Sequence, residues 1–301
     1  MSRPAIVIAA AVFCVGLGVV AHTAPGRAAL GAANATRTIY FSARGADGTP
    51  VRDLTAADLS LTAMGQRWPI VRLEKATAPI DVSVILDSIG RFGASTMTDH
   101  LVEFLRQTLT SGTVSVQALG HGPSKLVGSS DPKALESAIL ELGVRAVPGR
   151  TYLADAVDAS AQELRRRRSA RPVILVVTGA GERLQIDSPG ANYGGRDYAG
   201  GEHAAMADAA LNSLRRSGAI LEVVCAWNGF NVGQVLGSGS AKSGGIIAFD
   251  YDNGLQTVRE TLLSQYQLVY SVLDGYRADD RIVLRTDRPG VKIIAPTTAA
   301  R

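Results

Sequence analysis

Asp81-Val82-Ser83-Val84-Ile85-Leu86-Asp87 is the stretch on which the fold turns. A strand with one wet face alternates apolar and polar residues. Here, Ser83 apart, both alternating sets between the two carboxylates are apolar, so the segment reads as a strand buried on both faces, as in a parallel sheet. Val173-Ile174-Leu175-Val176-Val177 repeats the character and is the most apolar strand of the chain. Helical patterns separate the two. Leu101, Phe104, Leu105 and Leu109 form one stripe, and Leu135, Ile139 and Leu142 another. Asp131-Pro132 opens the second helix, with Asp at the cap and Pro in the first turn. Residues 114–119 and 220–226 read as strands, 151–168 and 202–217 as helices, and 181–201 as a Gly-rich loop. Strands alternating with helices predict an α/β fold: an open, doubly wound, mostly parallel sheet with helices on both faces.

Outward from this centre the period changes. Residues 36–78 read as short strands, with Leu59, Leu61 and Ala63 on one face and a break at Gly65. After a helix at 255–264, residues 265–271, 281–285 and 291–294 are again strand-like. Each set is too small to close a core alone. The two are expected to pair with each other as a small β unit flanking the central sheet, because both otherwise leave edges open.

The first residues differ from all of these. Residues 5–21 carry no charge, Arg3 precedes them, and small residues follow at Val19-Val20-Ala21 and Gly26-Arg27-Ala28. This is the layout of a secretory signal, with cleavage expected; an uncleaved membrane anchor is the alternative. The organisation is then a signal peptide (1–28), a linker (29–36), an N-terminal β segment (37–78), the α/β domain (79–265), a C-terminal β segment (266–296) and a tail (297–301). The destination is secreted or periplasmic, with no further membrane contact.

Composition removes several function classes. Of 301 residues, 46% are hydrophobic and 19% charged, which excludes general disorder. The formal charge is +4, and Arg3 and Arg27 are the only Lys, Arg, Asp or Glu in the first 28 residues, so the processed chain is closer still to neutral. That gives no electrostatic case for nucleic-acid binding. Two cysteines, Cys14 and Cys225, exclude a disulfide scaffold and a cysteine-rich zinc module.

Several motifs in fixed order carry a resemblance. Asp47-Gly48-Thr49-Pro50-Val51-Arg52-Asp53-Leu54-Thr55-Ala56-Ala57-Asp58 leads. Leu86-Asp87 ends the first core strand, Gly149-Arg150-Thr151 precedes a helix, Ser243-Gly244-Gly245 precedes the last core strand, and Gln265-Tyr266-Gln267-Leu268-Val269-Tyr270 marks the exit. Over residues 37–296 the chain resembles a von Willebrand factor A domain, and more narrowly the bacterial secreted von Willebrand factor A-related proteins. The resemblance implies a non-enzymatic binding or adhesion module. It also implies a divalent-cation site at the carboxyl ends of the strands, built from Asp-x-Ser-x-Ser, a Thr and an Asp on three loops. Asp87 and Thr151 match that pattern. Ile89 and Arg91 stand at the two Ser positions and Gly179 at the third-loop Asp. A hard cation needs oxygen ligands, and a guanidinium about 6 Å away would cost roughly 5 kcal/mol. The site is therefore expected to be degenerate: no cofactor, with Mg²⁺ as the alternative, and Arg91 turned back onto Asp87. Ser88 and Glu182 are the residues that could restore a ligand.

Rival chemistries find little support. Gly237–Lys242 lacks the glycines of a phosphate loop and reads as a flexible connection. Ala241-Lys242-Ser243-Gly244-Gly245 misses the first glycine of a nucleophile turn, and His100, His121 and His203 have no catalytic motif around them. Arg165-Arg166-Arg167-Arg168 reads as a solvated helix end, where cations complement the macrodipole; a patch for an acidic ligand is the alternative. Tyr152, Trp227 and Phe230 would lie at the carboxyl edge of the sheet, with Tyr193 and Tyr198 in the Gly-rich loop, and such side chains dominate contact surfaces; packing under a neighbouring helix is the alternative for Trp227 and Phe230. The expected function is protein binding through that edge, with an unidentified protein partner. A structural scaffold, or a hydrolase on the same fold, is the alternative.

Overall fold

Both ends of the chain build one β unit, and the middle builds another layer of structure beside it. The computed structural model describes residues 35–87, 94–108, 112–119, 127–129, 131–145, 153–179, 200–226, 234–272 and 281–298. Two units divide the chain, Met1–Asn34 and Ala35–Arg301; the first lies outside the described residues, and every element below belongs to the second.

Strand β1 (Thr36–Arg44) comes first, then a 3₁₀ turn at Ala56–Asp58, β2 (Leu59–Ala63), β3 (Gln66–Trp68) and β4 (Ile70–Lys75). Met64 and Gly65 both take positive φ, 51° and 76°, and make the two-residue turn between β2 and β3. Leu59, Leu61 and Ala63 are buried on one face of β2, as their alternation predicts.

The central layer follows. Its elements are β5 (Ile80–Asp87), α1 (Ala94–Thr108), β6 (Val114–Ala118), β7 (Val127–Ser129), α2 (Pro132–Arg145), α3 (Leu153–Arg166), β8 (Arg171–Thr178), α4 (Gly200–Ser217), β9 (Ile220–Cys225), α5 (Gly239–Ser243), β10 (Ile247–Phe249) and α6 (Tyr251–Leu263). The sheet order is β10-β9-β8-β5-β6-β7, parallel except for β7 at the edge. Both faces of β5 and β8 are covered. Val82, Val84, Leu86, Val173, Leu175 and Val177 pack with α1, α2 and α6, while Ile85, Ile174 and Val176 pack with α3 and α4. Two-sided burial explains why these strands do not alternate. Each such side chain contributes about 1.5–3 kcal/mol relative to exposure. Two of the polar exceptions in the sheet share one hydroxyl: Ser83 Oγ donates to Ser160 Oγ at 3.0 Å, and Gln117 Nε2 donates to the same hydroxyl at 2.6 Å.

The chain then leaves α6 for β11 (Tyr266–Ser271), β12 (Ile282–Thr286) and β13 (Lys292–Ile294). β11 lies between β1 and β4, β13 pairs with the far half of β1, and β12 pairs with β2. The N- and C-terminal strands therefore do pair, as their open edges require. They form two packed sheets, β13-β1-β11-β4 and β12-β2-β3, around a core of their own that includes Phe41, Leu61, Trp68, Leu268 and Tyr270.

Two local expectations are revised, and a third is filled in. The helix expected from 255 begins four residues earlier, because Asp250 caps it: its carboxylate accepts from Asp252 N at 3.2 Å. The connection at 237–243 is helical: a π-turn at Gln234–Ser238 runs into α5, burying Val235 and Leu236. Ser243-Gly244-Gly245 is a tight structural link. Gly244 takes φ +80°, and a Cβ on Gly245 would sit 2.1 Å from Leu221 O. Ser243 Oγ accepts from Leu221 N at 2.9 Å.

Candidate functional site

In an open sheet of this order the chain reverses direction of growth between β5 and β8, and the carboxyl ends of the strands at such a switch point are where sheets of this kind hold ligands. Their register places Asp87 opposite Thr178, and Thr178 opposite Cys225 of β9. Thr178 Oγ1 donates to Asp87 Oδ2 at 2.9 Å, and Gly179 N donates to Asp87 O at 3.0 Å. Asp87 is half-buried. Of the positions singled out in the sequence, the structure therefore brings Asp87 and Gly179 together. Ile89, Arg91, Thr151, Tyr152, Trp227 and Phe230 lie outside the described residues, as do Ser88, Glu182, Tyr193 and Tyr198.

Tyr251 completes this edge and was missed, because the helical stripe was counted from Leu255. The Asp250 cap, followed by Tyr251-Asp252-Asn253, is the signal that could have found it. Its hydroxyl is buried and has no hydrogen-bond partner among the described residues. Burial foremost, with the Cys225 and Asp87 groups adding to it, pushes this phenol up to about 12. Burial likewise pushes the Cys225 thiol up to about 11. Neither group is ionised near neutrality, so neither is an activated nucleophile.

The donors among the described residues do not make up a divalent-cation site. At the ends of β5 and β8 the one described carboxylate is Asp87, already taking a bond from Thr178, and Gly179 has no side chain to supply the third-loop oxygen. Among the described residues no group of three His, Cys, Asp or Glu side chains is placed to hold a metal ion. His100 Nε2 meets Asp252 Oδ1 at 3.0 Å across α1 and α6. No hydroxyl or thiol among the described residues bonds that histidine to make a nucleophile–base pair. No helix among the described residues is long and apolar enough to cross a membrane.

Neither a protein-family model nor a curated protein matches the sequence. Solved structures do. A von Willebrand factor type A structure from Catenulispora acidiphila is 12% identical, covering 89% of this chain and 74% of its own, with a TM-score of 0.43. An aerotolerance-related membrane protein from Bacteroides fragilis is 13% identical over 61% of this chain and 98% of its own, at 0.39. Proximal thread matrix protein 1 from the mussel byssus, whose adhesion motif is occupied by zinc, is 14% identical over 63% of this chain, at 0.41; the match spans 47% of that protein. What the chain's own strand order and helix layers establish is an open, doubly wound α/β sheet with a flanking β unit made from its two ends.

Proposed function

We propose that this chain is an exported binding module of von Willebrand A type. It engages a protein partner through the carboxyl edge of its central sheet without a bridging cation. The observation that carries the reading is the shared carboxyl end of β5 and β8, where the Asp87 carboxylate is held by Thr178 and stands beside Gly179 rather than a second acid. A recognition surface needs fixed, shaped polar groups and does not need a shifted nucleophile. The neutral Cys225 and Tyr251 beside it agree with binding over covalent catalysis.

Photocrosslinking in the envelope of the native cell tests this. A photoreactive phenylalanine at Gly179 or at Ala226 should give a discrete partner adduct on the chain lacking its first ~28 residues. The same probe at Arg72, exposed on β4, should not. Adducts at Arg72 alone, or on an unprocessed chain in the cytoplasm, would overturn the reading. Loss of the adduct with chelator would overturn its cation-free part.

A further inference from the structure

The opposite, amino edge of the sheet holds a second surface. A groove of about 940 Å³ lies between the ends of α3 and α4, the start of β9 and the first half of β1. Its apolar wall includes Leu164, Leu211, Leu214 and Ile220. Six cations line it: Arg165, Arg168, Arg215, Arg216, Lys242 and Arg281. No Asp or Glu is among the described residues that do so. A shallower cleft of about 560 Å³ shares Arg165, Arg168 and Arg216 and adds Arg166. Neighbouring charges elsewhere are neutralised: Arg166 and Arg167 both pair with Glu163. The side chains of Arg165, Arg168, Arg216, Lys242 and Arg281 make no ion pair or hydrogen bond among the described residues.

The far wall is a strand edge. Val272 N donates to Ala35 O, so by the two-residue alternation of a strand the odd-numbered backbone groups of β1 face β11. The N–H and C=O of Thr38 and Tyr40 then face the other way, toward the side where β13 pairs only with Ser42–Arg44. Beyond Ile294 the chain departs from β1, because Pro296 bridges Ser243, Thr297 N donates to Lys242 O, and Thr298 bridges Arg281. The departure opens a slot between the β1 edge and the tail, and Thr38, Tyr40, Pro296 and Thr298 all line the groove.

We propose that this groove binds an extended acidic peptide, added as a strand to the free edge of β1 with its carboxylates on the arginines of α3 and α4. A backbone ladder beside an unbalanced cluster of guanidinium groups fits a main chain that carries negative side chains. The alternate, uncharged side chains of the same strand point to its other face, away from the arginines. This surface is independent of the carboxyl edge and stands or falls without it.

The test uses the processed full-length chain and a labelled, end-blocked peptide of about eight residues alternating Glu and Val. Anisotropy should show saturable binding that weakens at least about tenfold as salt rises from about 50 to about 300 mM. The Lys-Val counterpart should not bind. N-methylating the Glu-Val backbone on the edge-facing positions should cost at least about tenfold, since it removes the ladder and leaves the charge. Arg165→Gln with Arg216→Gln should weaken binding by a similar factor with unchanged melting; Lys242→Gln with Arg281→Gln is the second pair if the first does not fold. Hydrogen exchange at Thr38 and Tyr40 should slow on binding. No saturable binding, indifference to N-methylation or indifference to both pairs of substitutions would overturn the proposal. So would preferential binding of dextran sulfate or phosphatidylglycerol vesicles with no binding of the peptide, which would make the groove a general anion surface.

Discussion

Glu222 sits in the middle of β9 with no solvent exposure. Its Oε2 accepts from Ile246 N at 2.8 Å, and Oε1 has no partner among the described residues. Burial pushes this carboxyl up to about 8, outweighing the bond from Ile246 and the nearby Arg44. The group is therefore protonated in the folded protein at neutral pH and ionised in the unfolded chain. A folded value above the unfolded one gives stability that is whole below the ordinary glutamate range and is lost as pH rises through about 8. The slope is about 1.4 kcal/mol per pH unit within that window. Glu222→Gln keeps an oxygen for Ile246 and removes the titration. In thermal melts across pH, the native protein should lose stability relative to the variant as pH rises and level off once Glu222 is ionised. Parallel curves for the two proteins would show that Glu222 is ionised throughout. Ser83 and Gln117, also polar and buried in the central sheet, do not titrate and are satisfied by neighbours.

Among the elements, one side chain ties several pieces together at the junction of the two layers, beside the bonds from Ser42 and Arg44 of β1 to Thr257 and Thr261 of α6. Arg171 opens β8 and is 5% exposed. Its guanidinium donates to Leu262 O at the end of α6, to Gln265 Oε1 at 2.8 Å and to Ala78 O at 3.2 Å, and lies over the Tyr40 ring of β1 at 5.6 Å. It thus joins the central sheet, α6, the β4–β5 link and the flanking β unit. Burial lowers its pKa to about 10, so it stays charged at neutral pH. Arg171→Met keeps the apolar stem but leaves buried carbonyls without donors. It should destabilise by about 2–4 kcal/mol in denaturant unfolding. Arg171→Lys should recover little, because one ammonium cannot reach acceptors arranged for a planar fork. Stability within about 0.5 kcal/mol of the native protein in Arg171→Met would show that the junction does not need this guanidinium.

For the whole molecule, the flanking unit is a product of both ends and forms only when they meet. Phe41 and Tyr266 stack with ring centroids 5.3 Å apart, and Tyr266 Oη takes a bond from Leu54 N while donating to Val51 O. A chain of residues 79–265 alone lacks β1–β4 and β11–β13 and uncovers the partners of Arg171. Calorimetry should show a lower midpoint than for the full chain, and an unchanged midpoint would make the flanking unit an independent appendage. The sequence alone determined what depends on near neighbours. Two-sided apolar runs at 81–87 and 173–177 meant buried parallel strands, Asp131-Pro132 meant a helix start, and two sets of short strands with open edges meant mutual pairing. Such signals act within one turn or one pleat, so composition and period suffice to read them. It could not show that Arg165 and Arg168 would stand with Arg215, Arg216, Lys242 and Arg281 around one groove, nor that Tyr251 would close on Asp87 and Cys225. Read locally, the arginine run left a solvated helix end and an acidic-ligand patch both open, with nothing to say which other cations would join it. Crossover connections bring these groups together across sequence-distant elements, and which helix ends share an edge depends on strand order and layer packing, which no local period encodes.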